Sequence, residues 1–254
     1  MRKLRVACHV HSEWSYHATW PLRSIADAFA VRGYGAVLMS DHDRGFDERR
    51  WGEYQAACEA ASDERIRLIP GIEYEDPENV VHVTVWGEGV RFLGSGRKTV
   101  DVLHAAKAEG AIAVFAHPWR KDAVSRYRPE WHELLVGVEV WNRQYDGIAP
   151  NRRAMRFAEK ERLLPFASLD FHTRRQLFPL AMTLEAETAP TTASLIEAIA
   201  SRRVRPEMLG FDAADLADGF PAATLGAVEG VRRLARGPIR RLAAVLNASS
   251  IDGA

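Results

Sequence analysis

The chain has 254 residues, enough for one large domain, and its 34 basic and 34 acidic side chains cancel to no net charge. A balanced surface creates no global field to gather nucleic acid or an anionic membrane, and no apolar stretch reaches the length of a bilayer span. The N-terminus, MRKLRVACHVHSEW, is basic without an apolar core or a small-residue cleavage site, so no secretory signal is expected. Cys8 and Cys58 make no disulfide framework, and a reducing cytoplasm is the expected home.

In chain order, the first strand-like run is 4–9, followed by helical composition over 22–32 and an apolar run at 36–40. A helix is predicted over 48–61. The runs 66–71 and 80–86 then follow too closely to hold a helix between them. Beyond them, 99–109 reads as helix, 111–116 and 137–141 as strands, 151–161 as helix, 164–169 and 180–184 as strands, and 193–201 as helix. Strands separated by helices argue for βα units and a parallel sheet, and eight such runs suit a barrel, irregular where 66–71 meets 80–86. From Pro206 the tail is rich in Ala, Gly, Asp and Arg, with a helical stretch over 222–246 interrupted at Gly237 and Pro238. The expected organisation is a barrel over 1–205 and a helical extension over 206–254, packed on the barrel or on a partner subunit.

Polar side chains mark the ends of these runs. His9 and His11 close the first, and in a regular extended strand residues i and i+2 point to one side. Asp170 and His172 repeat that spacing far downstream. His42, Glu73 and His117 fall at or just past other runs, His17 lies in the loop after the first, and His82 lies near the start of its own. Barrel enzymes build their sites on the C-terminal rim of the strands, so these residues can converge. A lone histidine on a strand is more often a satisfied core residue; the paired spacing shifts that balance. Imidazole and carboxylate without thiolate suit Zn, Mn or Fe, and a bridging carboxylate such as Glu73 can bring two cations to about 3.5–4 Å. Asp41 and Asp43 flank His42 and are expected to orient imidazoles. Cys8 is expected to face the core, His104 and His132 the surface. Glu139 reads equally as functional or structural.

The segments HVHSEWSYH (9–17), SDHD (40–43), PGIEYE (70–75), VHVTVWG (81–87), AHPWR (116–120), GVEVWN (137–142) and SLDFH (168–172) resemble, in order, the motifs of the PHP (polymerase and histidinol phosphatase) superfamily of metallohydrolases. The likeness covers about residues 4–185. It implies an α/β fold, a distorted seven-stranded (β/α) TIM-like barrel, with two to three divalent metal ions. By position, one ion would take His9, His11, Glu73 and Asp170, and a second would share Glu73 with His82 and His117. A third would take His17, His42 and His172, although many family members carry Asp at the position of His17.

On the substrate side, Arg120 follows the AHPW turn, where a guanidinium suits a phosphate or carboxylate. Arg143 and Lys121 are weaker candidates. Trp14, Trp20, Trp119 and Trp141 either wall an apolar pocket or pack the rim, and packing is favoured. The reading is a metal-dependent phosphoesterase that hydrolyses a small phosphorylated metabolite or nucleotide through a metal-bridging hydroxide, with Glu73, Asp170 and Arg120 as catalytic residues. The alternatives are a carbamate or carboxyl-ester hydrolase on the same site, or a PHP module that binds metal without turnover. The expected partner is a small-molecule phosphoester or ester, with no membrane, no long nucleic acid and a possible homo-oligomer.

Overall fold

The computed structural model describes residues 2–186 and 190–249, with side chains over 3–186 and 190–234. The chain opens with β1 (Arg2–Val10), α1 (Leu22–Ala30), β2 (Ala36–Met39), the short β3 (Asp41–His42) and α2 (Glu48–Ala61). There follow β4 (Arg67–Ile69), β5 (Gly71–Glu75), β6 (His82–Trp86), α3 (Thr99–Ala108), β7 (Ile112–Ala116) and β8 (Gly137–Asn142). The remainder comprises α4 (Arg152–Lys160), β9 (Leu164–Ser168), β10 (Leu180–Ala186), α5 (Thr192–Ala200), β11 (Arg205–Met208), β12 (Phe211–Asp212), α6 (Ala213–Ala217) and α7 (Gly219–Ser249).

The helix ends follow local chemistry. The Asp47 carboxylate caps α2 by accepting from the Arg50 amide at 2.7 Å, and the Asn151 side chain caps α4. The stretch after α1 turns at Gly33, whose φ of +77° costs glycine little.

The strands form two six-stranded sheets, ordered β12-β11-β10-β1-β2-β4 and β3-β5-β6-β7-β8-β9. The fold is therefore mixed α/β. At one side β2 runs into β3 through Ser40, and β4 into β5 through Pro70. At the other, the segment after β9 bonds to β1: Leu169 N donates to Cys8 O at 2.9 Å, Phe171 N to His9 O at 3.0 Å, and His11 N to Phe171 O at 2.9 Å.

Three expectations need correction. The sheets are not uniformly parallel, because β6 is antiparallel to both β5 and β7, and β10 to β1. The β5–β6 connection is a tight turn, closed by Asp76 N to Val81 O at 3.0 Å, and a parallel crossover needs about a dozen residues or more. As a result His82, first in β6, pairs with Glu75 and Ala116, each last in its own strand. Nor is β1 regular near its end: His9 has φ +60°, and the pairing with β2 shifts between Cys8 and Val10, a bulge that re-aims the following side chains. Finally, Gly237 and Pro238 do not break α7; a proline removes one helical hydrogen bond without ending the helix. The strands β11 and β12 carry the first sheet on beyond residue 205.

The core lies between the strands and the surrounding helices. Trp86, Trp141, Phe29, Phe115, Phe166 and Phe171 are fully buried there, and burying a side chain the size of Phe stabilises by roughly 2–3 kcal/mol. Trp86 donates its indole N–H to Met39 O at 2.6 Å across the sheet junction, and Gly71 is what lets the ring lie so close. Cys8 and Cys58 are buried and free. Among the described residues no helix is long and apolar enough to cross a membrane.

Candidate metal centre

Strand ends at one rim bring all nine ligand-capable residues together. Glu73, buried on β5, is the hub. Its Oε1 lies 2.8 Å from His82 Nδ1 and 2.9 Å from His117 Nε2. Its Oε2 lies 3.2 Å from His9 Nε2, 3.4 Å from His11 Nε2 and 3.3 Å from His42 Nδ1. Asp170 faces the same space, 3.6 Å from His11 Nε2 and 3.3 Å from His172 Nδ1. His17 comes from the loop after β1. Its Nε2 sits 2.7 Å from His172 Nε2 and 3.2 Å from His42 Nε2. Ring nitrogens that close need a proton or a cation between them.

Three of these residues depart from ordinary strand geometry. His9, His117 and Asp170 have φ of +60°, +25° and +47°, a region that L-residues adopt only when their surroundings impose it.

The charges explain themselves by competition between burial and neighbours. Burial alone would depress His9, yet Glu73, Glu139 and Asp170 hold its imidazole protonated well above the usual histidine range. For Glu73, burial works to raise the pKa, but His9, His42 and His82 together push it well below the carboxylate range. Asp170 is held low against burial by His9, His11 and His117. Burial lowers His11 and His82, and His17 is pushed down to about 4 by burial and by His172 and His42. The cluster thus carries ionised carboxylates facing neutral His11, His17 and His82, while the same carboxylates hold His9 and His42 toward the charged form, with a proton that a bound cation would displace.

The unpaired atoms test whether a metal fits. His9 Nε2, His11 Nε2, His42 Nδ1 and Glu75 Oε1 are buried and make no well-aligned hydrogen bond, the last two although they lie 2.8 Å apart. Buried polar groups are rarely left so, and here they face one another. Four triads lie close enough to share an ion: His9–His11–Asp170, His9–Glu73–His117, His11–His42–His172 and His42–Glu75–His82. The donors fit divalent metal.

The sequence singles out Glu139 without settling its role, and does not single out Glu75 or Asn142. Glu139 lies beneath His9, accepting from its Nδ1–H at 2.6 Å, from the His117 amide at 2.7 Å and from Asn142 Nδ2 at 2.8 Å. That bond leaves His9 Nε2 turned into the cluster. Glu75 Oε1 lies 2.8 Å from His42 Nδ1. The same i, i+2 rule that paired His9 with His11 would have found Glu75 from Glu73. Asn142 donates to Asp170 at 3.2 Å, which only the fold reveals.

Asp41 and Asp43 touch no imidazole. Asp41 accepts from the Ser12 amide and hydroxyl at 2.8 Å, from Ser15 Oγ at 2.7 Å and from Tyr54 at 2.6 Å. It acts on His11 only through Ser15, whose oxygen lies 3.3 Å from His11 Nδ1. Asp43 accepts from the Gly96 amide instead. Asp41 precedes His42 in β3, where successive side chains face opposite sides.

Arg120 reaches the rim, its Nη1 3.1 Å from His82 Nε2 and its Nη2 2.6 Å from Asn79 Oδ1. Lys121 donates to Asn79 O at 2.8 Å. Arg143, a weaker candidate for the substrate side, lays its guanidinium over Phe178, 4.8 Å from the ring centre, and Asn142 just before it donates to Asp170. The mouth is a cavity of about 60 Å³ walled by Tyr16, Tyr145, Arg120 and Gln144. The four tryptophans pack around the rim and do not line it; Trp20 meets Phe171 and Trp119 meets Phe157.

No protein-family model matches the sequence, and no curated protein matches it. Solved structures do. A two-domain protein from Bacteroides vulgatus, containing a predicted PHP-like metal-dependent phosphoesterase, aligns over 82% of this chain at 19% identity with a TM-score of 0.62. This chain spans 65% of that protein. PsfC from Pseudomonas syringae aligns over 92% of this chain and 99% of its own at 15% identity, with a TM-score of 0.61. The lesion-specific endonuclease EndoQ from Pyrococcus furiosus aligns over 79% of this chain and 56% of its own at 14% identity, with a TM-score of 0.54. The strand layout and these likenesses agree: the chain shares its fold with the Bacteroides protein that contains a predicted PHP-like metal-dependent phosphoesterase.

Proposed function

We propose that this chain is a metal-dependent phosphoesterase acting on a small phosphorylated metabolite or nucleotide. The observation that carries the reading is the ring of buried, unpaired imidazole nitrogens facing ionised Glu73 and Asp170. We read the two sheets as one distorted seven-stranded barrel, supported by the strand junctions at Ser40 and Pro70 and by the bonds from Leu169 and Phe171 to β1.

His9, His11, Glu73 and Asp170 would hold one ion. Glu73, His82 and His117 would hold a second, and His17, His42 and His172 a third. Zn, Mn and Fe all suit such donors. When bound, these ions neutralise charge on phosphoryl oxygens and make water more acidic. The chain's own groups do the rest. Glu139 keeps the His9 proton on Nδ1. Arg120 presents a fixed guanidinium beside His82, a fit for the non-bridging oxygens of a phosphate. The small mouth between Tyr16, Tyr145, Arg120 and Gln144 favours a small substrate over a polymer held along its length.

Elemental analysis of purified protein should find two to three ions per chain, and p-nitrophenyl phosphate should be hydrolysed faster than p-nitrophenyl or naphthyl esters. Dominance of the esters would overturn the phosphoester reading in favour of carbonyl chemistry on the same cluster. Loss of all hydrolysis with every metal, beside tight partner binding, would make this a non-catalytic module. Replacing Arg120 by Ala should raise KM for the phosphate about ten- to a hundredfold, the worth of a charged hydrogen bond, and leave a neutral ester nearly unaffected. Equal effects on both substrates would remove Arg120 from phosphate recognition.

A further inference from the structure

The C-terminal helix touches the site through one loop. Glu229 on α7 is only 6% exposed, although helix-surface glutamates are normally solvated. Its Oε2 accepts from the Ile148 amide at 3.2 Å and from Arg232 Nε at 2.6 Å, and its Oε1 accepts from Arg233 Nε at 2.7 Å. Arg233 then donates to Tyr145 O at 3.2 Å and Asp146 O at 3.3 Å. Gly147 sits against the Glu229 carboxylate with φ +83°; a Cβ there would collide with it. An intrahelical ion pair alone needs neither that burial nor a second element.

The loop so held leads into the cluster. Asn142 donates to Glu139 and Asp170, and its Oδ1 accepts from the amides of Gln144 at 3.0 Å and Tyr145 at 3.2 Å. On the near side, the Trp141 indole donates to Gly147 O at 3.2 Å. Tyr145 lies at the mouth, its ring 4.9 Å from His117 and its hydroxyl accepting from Arg120 Nε at 3.1 Å.

We propose that α7 braces the active-site loop, with Glu229 and Arg233 as positioning residues that set Tyr145 and Arg120 over the cluster for substrate binding. The proposal rests on reading that cluster as a phosphoesterase site. Neither residue touches substrate, so their removal should loosen the mouth and spare the ions. Misplacing binding groups costs substrate affinity before it costs the metal chemistry.

In the metal-loaded protein, Glu229→Ala should keep the wild-type metal content, with at most a modest loss of melting temperature from the donors it leaves unpaired. Its KM for p-nitrophenyl phosphate should rise about tenfold with kcat within about twofold. Amide exchange over 145–148 should quicken about tenfold, while exchange in β5 and β8 stays unchanged. Should Glu229→Ala fail to fold, Arg233→Ala replaces a side chain that is 57% exposed and tests the same loop by its bonds to Tyr145 and Asp146. Unaltered KM and unaltered loop exchange in a folded variant would overturn the brace. A wild-type protein inactive on every phosphoester would overturn the proposed function alone, because loop exchange still decides the brace.

Discussion

Glu73→Gln should give a folded protein that loads little metal and turns over on the order of a thousandfold more slowly. The side chain stands within 3.4 Å of five imidazoles, contributed by His9, His11, His42, His82 and His117. An amide of the same shape removes the charge that holds the cluster together, and turns an N–H₂ toward imidazoles that need an acceptor. The core strands do not depend on it, so circular dichroism should be unchanged while elemental analysis shows the loss. A Glu73→Gln protein with the full metal complement and wild-type turnover would remove this carboxylate from the centre. Asp170→Ala and His11→Ala should behave alike, since the two side chains lie 3.6 Å apart and would share an ion.

Glu139→Gln should weaken metal affinity by about ten- to a hundredfold without abolishing the site, the usual cost of removing the group that orients a ligating histidine. Both oxygens of Glu139 are engaged, one by His9 Nδ1 and the other by the His117 amide and Asn142. Glutamine can satisfy only one side as acceptor. The other side then meets an N–H with an N–H, and His9 loses the bond that fixes its tautomer. Titration against a chelator of known affinity reads the change. Wild-type affinity in Glu139→Gln would mean that His9 is held by packing alone.

How far the site was legible depends on the element. His9, His11, Asp170 and His172 stood out through their spacing, and that signal survives even though the backbone at His9 and Asp170 is not regular strand. At His82, near the start of its run, the short link from 66–71 to 80–86 signals an irregular barrel but not the direction of the strand. Only the tight Asp76–Val81 turn, which reverses β6, explains its position at the rim. Glu75 was readable by the period of two and was passed over. Glu139 stands out at a strand end, but its bonds to His9, His117 and Asn142 cross three strands and no local pattern announces them, nor the place of Asn142. Asp41 misled for the opposite reason: adjacency to His42 suggested contact, but neighbours along a strand face opposite sides. The helices α1 to α5 are legible to within two residues because their periodicity is local, whereas α6 gives no signal and α7 runs three residues past the expected 222–246 stretch at each end. The split of one apolar run into β4 and β5 turned on Pro70, which cannot donate to a ladder.

The left-handed backbone at His9, His117 and Asp170 has a consequence for how this chain can change. Each such position costs on the order of 1–3 kcal/mol that glycine would not incur. Glycine at any of the three relaxes the main chain and deletes a donor to the cluster in the same stroke. Stability and activity therefore pull in opposite directions at three separate points. A lineage released from selection for catalysis would drift toward glycine or asparagine at positions 9, 117 and 170 before it changed elsewhere on the rim.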